Sequence, residues 1–277
     1  MTEGSEDRLR LLLDWAAMRL ERERVPNAFD NAVFSISRAL VQDSFSVVNR
    51  DAALDVLEEL VTVERGASSS ERFVPLAKRL LDVHGSRALP PLGYLLGQGV
   101  NRSPTWRGRQ IFKSVWDMAI YNELLFELRP GVIVELGSGD GASADWFSTL
   151  ASAFSLEAEV VSFDASPPDT PSGAGMQFVK ARFPEDTDRL ISWTETLDPG
   201  RPWLVVEDMH VGIEIVLPAI VRVLRPGDYL VVEDSAHKQD VIRSLAAGEV
   251  ELDVDQSYTD RFGVNGTSAM NSILRVR

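Results

Sequence analysis

The stretch that decides the fold is "GVIVELGSGDGAS", residues 131–143. A short β-branched run ends in Glu135 and Leu136, and Gly137, Gly139 and Gly141 follow at alternate positions. The next segment, "ADWFSTLASAF", has helical spacing. Strand, glycine-rich turn and helix in that order let the backbone approach a ligand and point helix N–H groups at it. A tight βα turn with no ligand is the plain alternative, and glycines alone do not separate the two.

Working outward, the alternation repeats. "SVWDMAIYNELLFEL" reads as a helix before this unit; "AEVVSFDAS" and "MQFVKARF" read as strands after it. "DTDRLISWTETL" is helical, "PWLVVEDMH" a strand, "GIEIVLPAIVRVL" a helix, "DYLVVEDSAH" a strand and "VIRSLAAG" a helix. The tail segments "VELDVDQ" and "NSILRVR" are expected to pair antiparallel. Strands that are continuous apolar runs, separated by helices, specify a parallel sheet covered on both faces. Ligands of such sheets bind at the carboxyl ends of the strands.

The N-terminal third has a different rhythm. "DRLRLLLDWAAMRLERERV" carries apolar residues at helical spacing, Asp51 is placed to cap a helix that stops at Gly66, and Ser68 with Glu71 has capping-box spacing for a helix ending at Gly85. His84 at that helix end complements the dipole. "ALPPLGYLLGQGVNRSP" then breaks periodicity. The expected organisation is an N-terminal α-helical region, residues 1–98, and an α/β domain, residues 99–277. The amphipathic helices suit a lid or a homo-oligomer contact.

The chain has 277 residues, 44% of them hydrophobic, enough to bury a sizeable core. It has no cysteine, which excludes disulfides, thiolate metal sites and cysteine nucleophiles. A net charge of −14 disfavours nucleic acid as a partner. The N-terminus lacks a signal-peptide apolar stretch, and no window approaches the roughly 20 apolar residues of a membrane span. The expectation is a soluble, cytoplasmic protein acting on a small molecule, with no membrane partner.

Two strand ends carry the chemistry. "VVEDMH" ends in Glu207, Asp208 and His210; "VVEDSAH" ends in Glu233, Asp234 and His237. Both lie at strand carboxyl ends, so they can face one crevice. Four carboxylates together repel unless a cation or proton is present. Hard oxygen donors suit Mg²⁺, which can lower the pKa of a bound hydroxyl. A neutral histidine can then take the proton. The bland reading is that Asp208 and Asp234 only cap the following helices, and that His237 is an ordinary loop residue.

The glycine spacing departs from the nicotinamide fingerprint, whose third glycine comes one residue later. Acid-x-Gly-x-Gly-x-Gly resembles the first motif of class I S-adenosylmethionine-dependent methyltransferases, which have a Rossmann-like sheet. That resemblance implies cofactor contacts at Glu135, Gly137, Ser138, Gly139, Gly141 and Ser143, with Glu135 ordering the cofactor's ammonium group. Asp164, ending the next strand, would accept the ribose hydroxyls; an acid there also occurs in nicotinamide enzymes.

From "WRGRQIFKSVWDMAIYNELLFELRPGVIVELGSGDGASADWF" through "VVEDMHVG" and "GDYLVVEDS" to "RFGVNGTSAMNSILRVR", the chain resembles the cephalosporin-hydroxylase-like group that includes macrolide-sugar and rhamnosyl O-methyltransferases of antibiotic biosynthesis. The resemblance covers roughly residues 105–277. It implies S-adenosylmethionine, Mg²⁺, a general base and an O-methyltransferase acting on a natural-product or sugar hydroxyl. Carried over by position, the base falls on His210 and the metal ligands on Glu207, Glu233 and Asp234. The family has Asp where this chain has Glu207, so Glu207 reaches the ion, Asp208 replaces it, or metal binding is weakened or lost. Two rivals remain: another reaction on the scaffold, such as hydroxylation, and a non-catalytic cofactor-binding partner. "TWRGRQIFKSVWD" is expected at the mouth of the site, with Trp106 or Tyr121 as possible substrate contacts and core packing the plainer role for Tyr121. "DRFGVNGTS" is expected to close over the acceptor.

Overall fold

The computed structural model describes residues 71–83, 93, 96–99, 102–169, 175–196 and 202–277, with Leu11 and Asp14. The chain divides into two compact units, residues 1–68 and 69–277. The Asp51 cap, Gly66, Ser68, His84 and the expected lid or oligomer surface lie outside the described residues.

Strand β1 (Phe73–Pro75) leads into helix α1 (Leu76–Asp82). A small hairpin, β2 (Thr105–Trp106) and β3 (Arg109–Gln110), precedes α2 (Val115–Leu128). The alternating part runs β4 (Val132–Leu136), α3 (Ala142–Ala153), β5 (Glu159–Asp164), β6 (Met176–Lys180), α4 (Thr187–Thr194), β7 (Trp203–Glu207), α5 (Ile213–Val223), β8 (Tyr229–Val232) and α6 (Gln239–Ala246). It ends with β9 (Leu252–Asp255), α7 (Gln256–Thr259) and β10 (Ile273–Val276). Among the described residues, eight strands form one sheet in the order β1-β9-β10-β8-β7-β4-β5-β6. Strands β4 to β8 pair parallel, and β10 pairs antiparallel with both β8 and β9. The parallel core and the antiparallel tail follow the sequence reading.

Every residue of β4 and β7 is buried. Alternation sends their side chains into two cores. Val134, Val205 and Val232 pack with Val216, Leu217 and Ile220 of α5. Ile133, Val206 and Val231 pack with Leu124 of α2 and Phe147 of α3 on the other face. From β4 the chain builds β5 and β6 on one side and then crosses back to place β7 on the other, so the switch point, and hence the crevice, lies above the ends of β4 and β7.

The N-terminal boundary differs from expectation. Phe73 and Val74 pair with Asp255 and Val254, so the sheet unit already includes β1, ahead of residue 99. Glu71 precedes a strand rather than sitting in the first turn of a helix, and α1 starts only after Pro75. Tertiary pairing outweighs the local spacing: Arg72 Nη2 reaches Asp255 Oδ2 at 2.9 Å and fixes the strand. The "DRFGVNGTS" loop also differs. Asn265 and Thr267 are buried, and Arg79, only 2% exposed, donates to Asp260 Oδ1 at 2.6 Å and to Asn271 Oδ1 at 2.9 Å. A loop bonded to a buried guanidinium is framework, not a lid. No helix among the described residues is long and apolar enough to cross a membrane.

Candidate active site

The ends of β4, β5, β7 and β8 open onto a cavity of about 690 Å³. Its wall includes Gly137, Ser138, Gly139 and Ser143 from the β4 turn, and Asp164 from β5. Asp208 and His210 follow β7, and Asp234 follows β8. The sequence thus brings the glycine turn and one acid from each pair to one place.

The first two glycines have different duties. At Gly137, φ is 100°, and an added Cβ would lie 2.7 Å from the Asp208 carbonyl oxygen. This glycine lets the β4 turn pack on the β7 loop. At Gly139, φ is 51° and an added Cβ would meet nothing within 4 Å. Asp164 Oδ2 accepts the N–H of Ser138 and of Gly139, each at 3.0 Å, and so shapes the turn it faces. Gly141 stands at the start of α3, outside the cavity wall.

Glu135 lies behind the turn, fully buried. Its Oε2 accepts from Ser162 Oγ at 2.6 Å, while Oε1 accepts no hydrogen bond of good geometry. Burial pushes its carboxyl up; Lys113, then Ser143 and Ser162, pull the other way. The buried Ser138 Oγ also lacks a partner.

The acid pairs divide. Glu207 Oε2 accepts from Lys238 Nζ at 2.7 Å, and neither side chain is exposed. Glu233 accepts from Lys113 Nζ at 2.7 and 2.9 Å and from the Tyr121 hydroxyl. Neither glutamate lines the cavity, whereas Asp208 and Asp234 do. His210 Nε2 lies 3.4 Å from Asp208 Oδ1 and 3.6 Å from Asp234 Oδ2. Asp208, His210 and Asp234 each offer one donor atom, all within 4.8 Å of one another. Of the four acids expected to meet a metal, the structure places Asp208 and Asp234 around His210 and Glu207 and Glu233 on buried lysines, and Asp208 Oδ2 also accepts from Lys113 Nζ at 3.3 Å.

The electrostatics leave acid in excess. Burial alone would lower the Lys113 ammonium, but Glu233, Asp208 and Glu135 outweigh it and hold the lysine charged. The same contact does not hold Glu233 low. Burial, with the charges of Asp208 and Asp117, outweighs one lysine and pushes its carboxyl up to about 8. Asp208 is raised by burial as well, with Lys113 opposing and Glu135 and Asp234 adding to the rise. Such a cluster favours a further cation at its open side.

Lys113 and Lys238 were not singled out in the sequence. Lys113 sits between Phe112 and Ser114, the residue whose hydroxyl caps α2 through the Asp117 N–H at 3.2 Å. A charge inside an apolar segment was the available signal. The stretch around it does approach the site: Gln110, Ile111, Phe112 and Lys113 line the cavity. Trp106 does not, and Tyr121 is a core residue. The hairpin is tied to α3 by Arg109 Nη2 on Asp145 Oδ2 at 2.6 Å. His237 is exposed, with its ring 5.9 Å from that of His210.

The strand order, with a switch-point cavity at an acidic glycine turn, is that of the class I methyltransferase fold. Matching by family agrees: the model described as rhamnosyl O-methyltransferase/CmcI matches residues 98–178. The rhamnosyl O-methyltransferase of Mycobacterium leprae is 30% identical over 164 residues, covering 56% of this chain and 71% of that protein. That of Mycobacterium tuberculosis is 29% identical over 168 residues, covering 57% and 67%. The chain belongs to the rhamnosyl O-methyltransferase/CmcI family. In fold it is similar to CmcI-D160 solved with Mg-SAM, at TM-score 0.54 and 24% identity, covering 76% of this chain and 88% of that one. An apo structure of CmcI-N160 gives the same score over 63% and 76%.

Proposed function

We propose that the protein transfers a methyl group from S-adenosylmethionine to a hydroxyl of a sugar-bearing small molecule, with Mg²⁺ at Asp208 and Asp234 and His210 as general base. The observation that carries this reading is the convergence of the glycine turn, two aspartates and His210 on one cavity. The residues fit both groups. The unpartnered Ser138 Oγ offers a polar atom at the turn, and the acid excess suits a cationic donor and a divalent ion. The cofactor would lie along Gly137–Gly139 and Ser143, with Asp164 beside its ribose. When bound, S-adenosylmethionine supplies an electrophilic methyl group, and the ion makes a hydroxyl more acidic.

The chain's own residues do the rest. His210 Nε2, between Asp208 and Asp234, is placed to accept the acceptor's proton. The cavity walls hold two reactants in one orientation, which is the larger part of the rate gain. Phe112 and Val211 line the cavity yet remain 68% and 55% exposed, apolar surface suited to the nonpolar face of a sugar or its aglycone. The names of the mycobacterial relatives favour a rhamnosyl acceptor and O-methylation over hydroxylation.

The test is incubation of the purified protein with S-adenosylmethionine, Mg²⁺ and a panel of rhamnosides, read by mass spectrometry. The expected product gains the mass of one methylene, and EDTA abolishes it. Gain of an oxygen, or undiminished turnover in EDTA, would overturn the reading.

A further inference from the structure

The loops after β7 and β8 are joined beneath the cavity by a single carboxylate. Glu207 Oε2 takes the Lys238 ammonium at 2.7 Å, and both side chains are 0% exposed. Glu207 Oε1 accepts the backbone N–H of Met209 at 3.1 Å and of His210 at 3.3 Å. Lys238 lies just beyond the short turn Ser235–His237 that starts at Asp234, and its own N–H donates to the Ser235 carbonyl at 3.0 Å. Glu207 therefore grips one loop by its backbone and the other by its lysine.

Both loops need such a grip. His210 has φ 59° and Asp234 has φ 46°, left-handed values that residues with a Cβ hold only when their surroundings enforce them. A buried carboxylate facing a buried ammonium is a strong constraint of that kind, because separating the two leaves an uncompensated charge.

We propose that Glu207 and Lys238 are positioning residues, which hold Asp208, His210 and Asp234 in register, and that Glu207 does not touch the metal. The proposal rests on the metal reading above and names Asp208 as the acid that replaces the family's aspartate. Glu207 is one methylene longer than Asp; its carboxylate is spent on Lys238, and the cavity-facing role passes to Asp208.

The test compares Glu207→Gln, Lys238→Met, the double variant and Asp208→Asn. Mn²⁺ affinity is read by calorimetry, and the melting temperature by circular dichroism. Lys238→Met alone should lower the melting temperature by about 10 °C, the consequence of a stranded buried charge in a chain of this size. The double variant should regain most of that loss yet bind Mn²⁺ about tenfold more weakly than wild type, as removal of an outer partner of a metal ligand does. Asp208→Asn should bind it far more weakly still. Recovery of both stability and Mn²⁺ affinity in the double variant would reduce the pair to framework and overturn the proposal. So would a Glu207→Gln defect as large as that of Asp208→Asn, or tighter Mn²⁺ binding in Lys238→Met, since either makes Glu207 a ligand. Failure of the wild type to bind Mn²⁺ is a different outcome: it overturns the metal reading itself, and this proposal with it.

Discussion

The ends of β7 and β8 spell the same four residues, Val-Val-Glu-Asp, and use them with the same division of labour on opposite faces of the sheet. Glu207 is in phase with Trp203 and Val205, which pack on the α5 side. Glu233 is in phase with Tyr229 and Val231, which pack on the α2 side. The two strands are offset by one residue, with Glu207 opposite Val232, and the Glu233 N–H donates to the Glu207 carbonyl at 2.9 Å. Each glutamate therefore enters a different helical layer and meets a different lysine. Each aspartate, one step beyond, faces the cavity. The repeated tetrapeptide is not used twice over: it gives one cavity two aspartates, with a lysine-bonded glutamate on each side.

The largest effect expected from this division is on the aspartates. Asp208→Asn and Asp234→Asn should each abolish Mg²⁺-dependent turnover while the protein stays folded. Full Mg²⁺ response in either variant would break the symmetry of the two ends. Next come the lysines. Lys238→Met should destabilise by about 3–5 kcal/mol, because it strands the buried Glu207 carboxylate; Lys113→Met should cost less, because Glu233, pushed up to about 8, can take up a proton. Chemical denaturation measures both, and a loss below about 1 kcal/mol in Lys238→Met would show that the pair is not the support described.

A smaller effect separates the glycines. Gly139→Ala should cost about 1–3 kcal/mol, from its positive φ alone. Gly137→Ala should cost more, because its Cβ also meets the Asp208 carbonyl at 2.7 Å. Equal costs would mean that the β4 turn does not lean on the β7 loop. The smallest effect is Tyr121→Phe, about 1 kcal/mol for one buried hydrogen bond to Glu233. Tyr121 marks where the ends differ, since the bonds to the Glu207 side chain come from Lys238 and two backbone N–H groups.

The parallel core was legible because buried strands such as Val132–Leu136 are continuous apolar runs, and the cavity because acids follow them. Strand β1 was not, since a three-residue edge strand owes its form to β9 rather than to its own periodicity. The lysine partners of the glutamates were not legible for a related reason. Alternation says that neighbouring residues face different ways, but not which layer holds a lysine for either. Lys113 and Glu233 are 120 residues apart, and Lys238 and Glu207 are 31 apart, so only the fold pairs them. Likewise, the spacing to His210 pointed to Glu207, whereas the geometry gives the cavity to Asp208.

The central claim is that the cavity above β4 and β7 takes a methyl donor beside a metal held by aspartates. Calorimetric titration of S-adenosylmethionine, in the presence of Mg²⁺, into wild type and Asp164→Ala tests it most directly. The account predicts one site in the wild type and clearly weaker binding in the variant. A folded wild-type protein that takes up no S-adenosylmethionine, or an Asp164→Ala variant that binds it equally well, would contradict it.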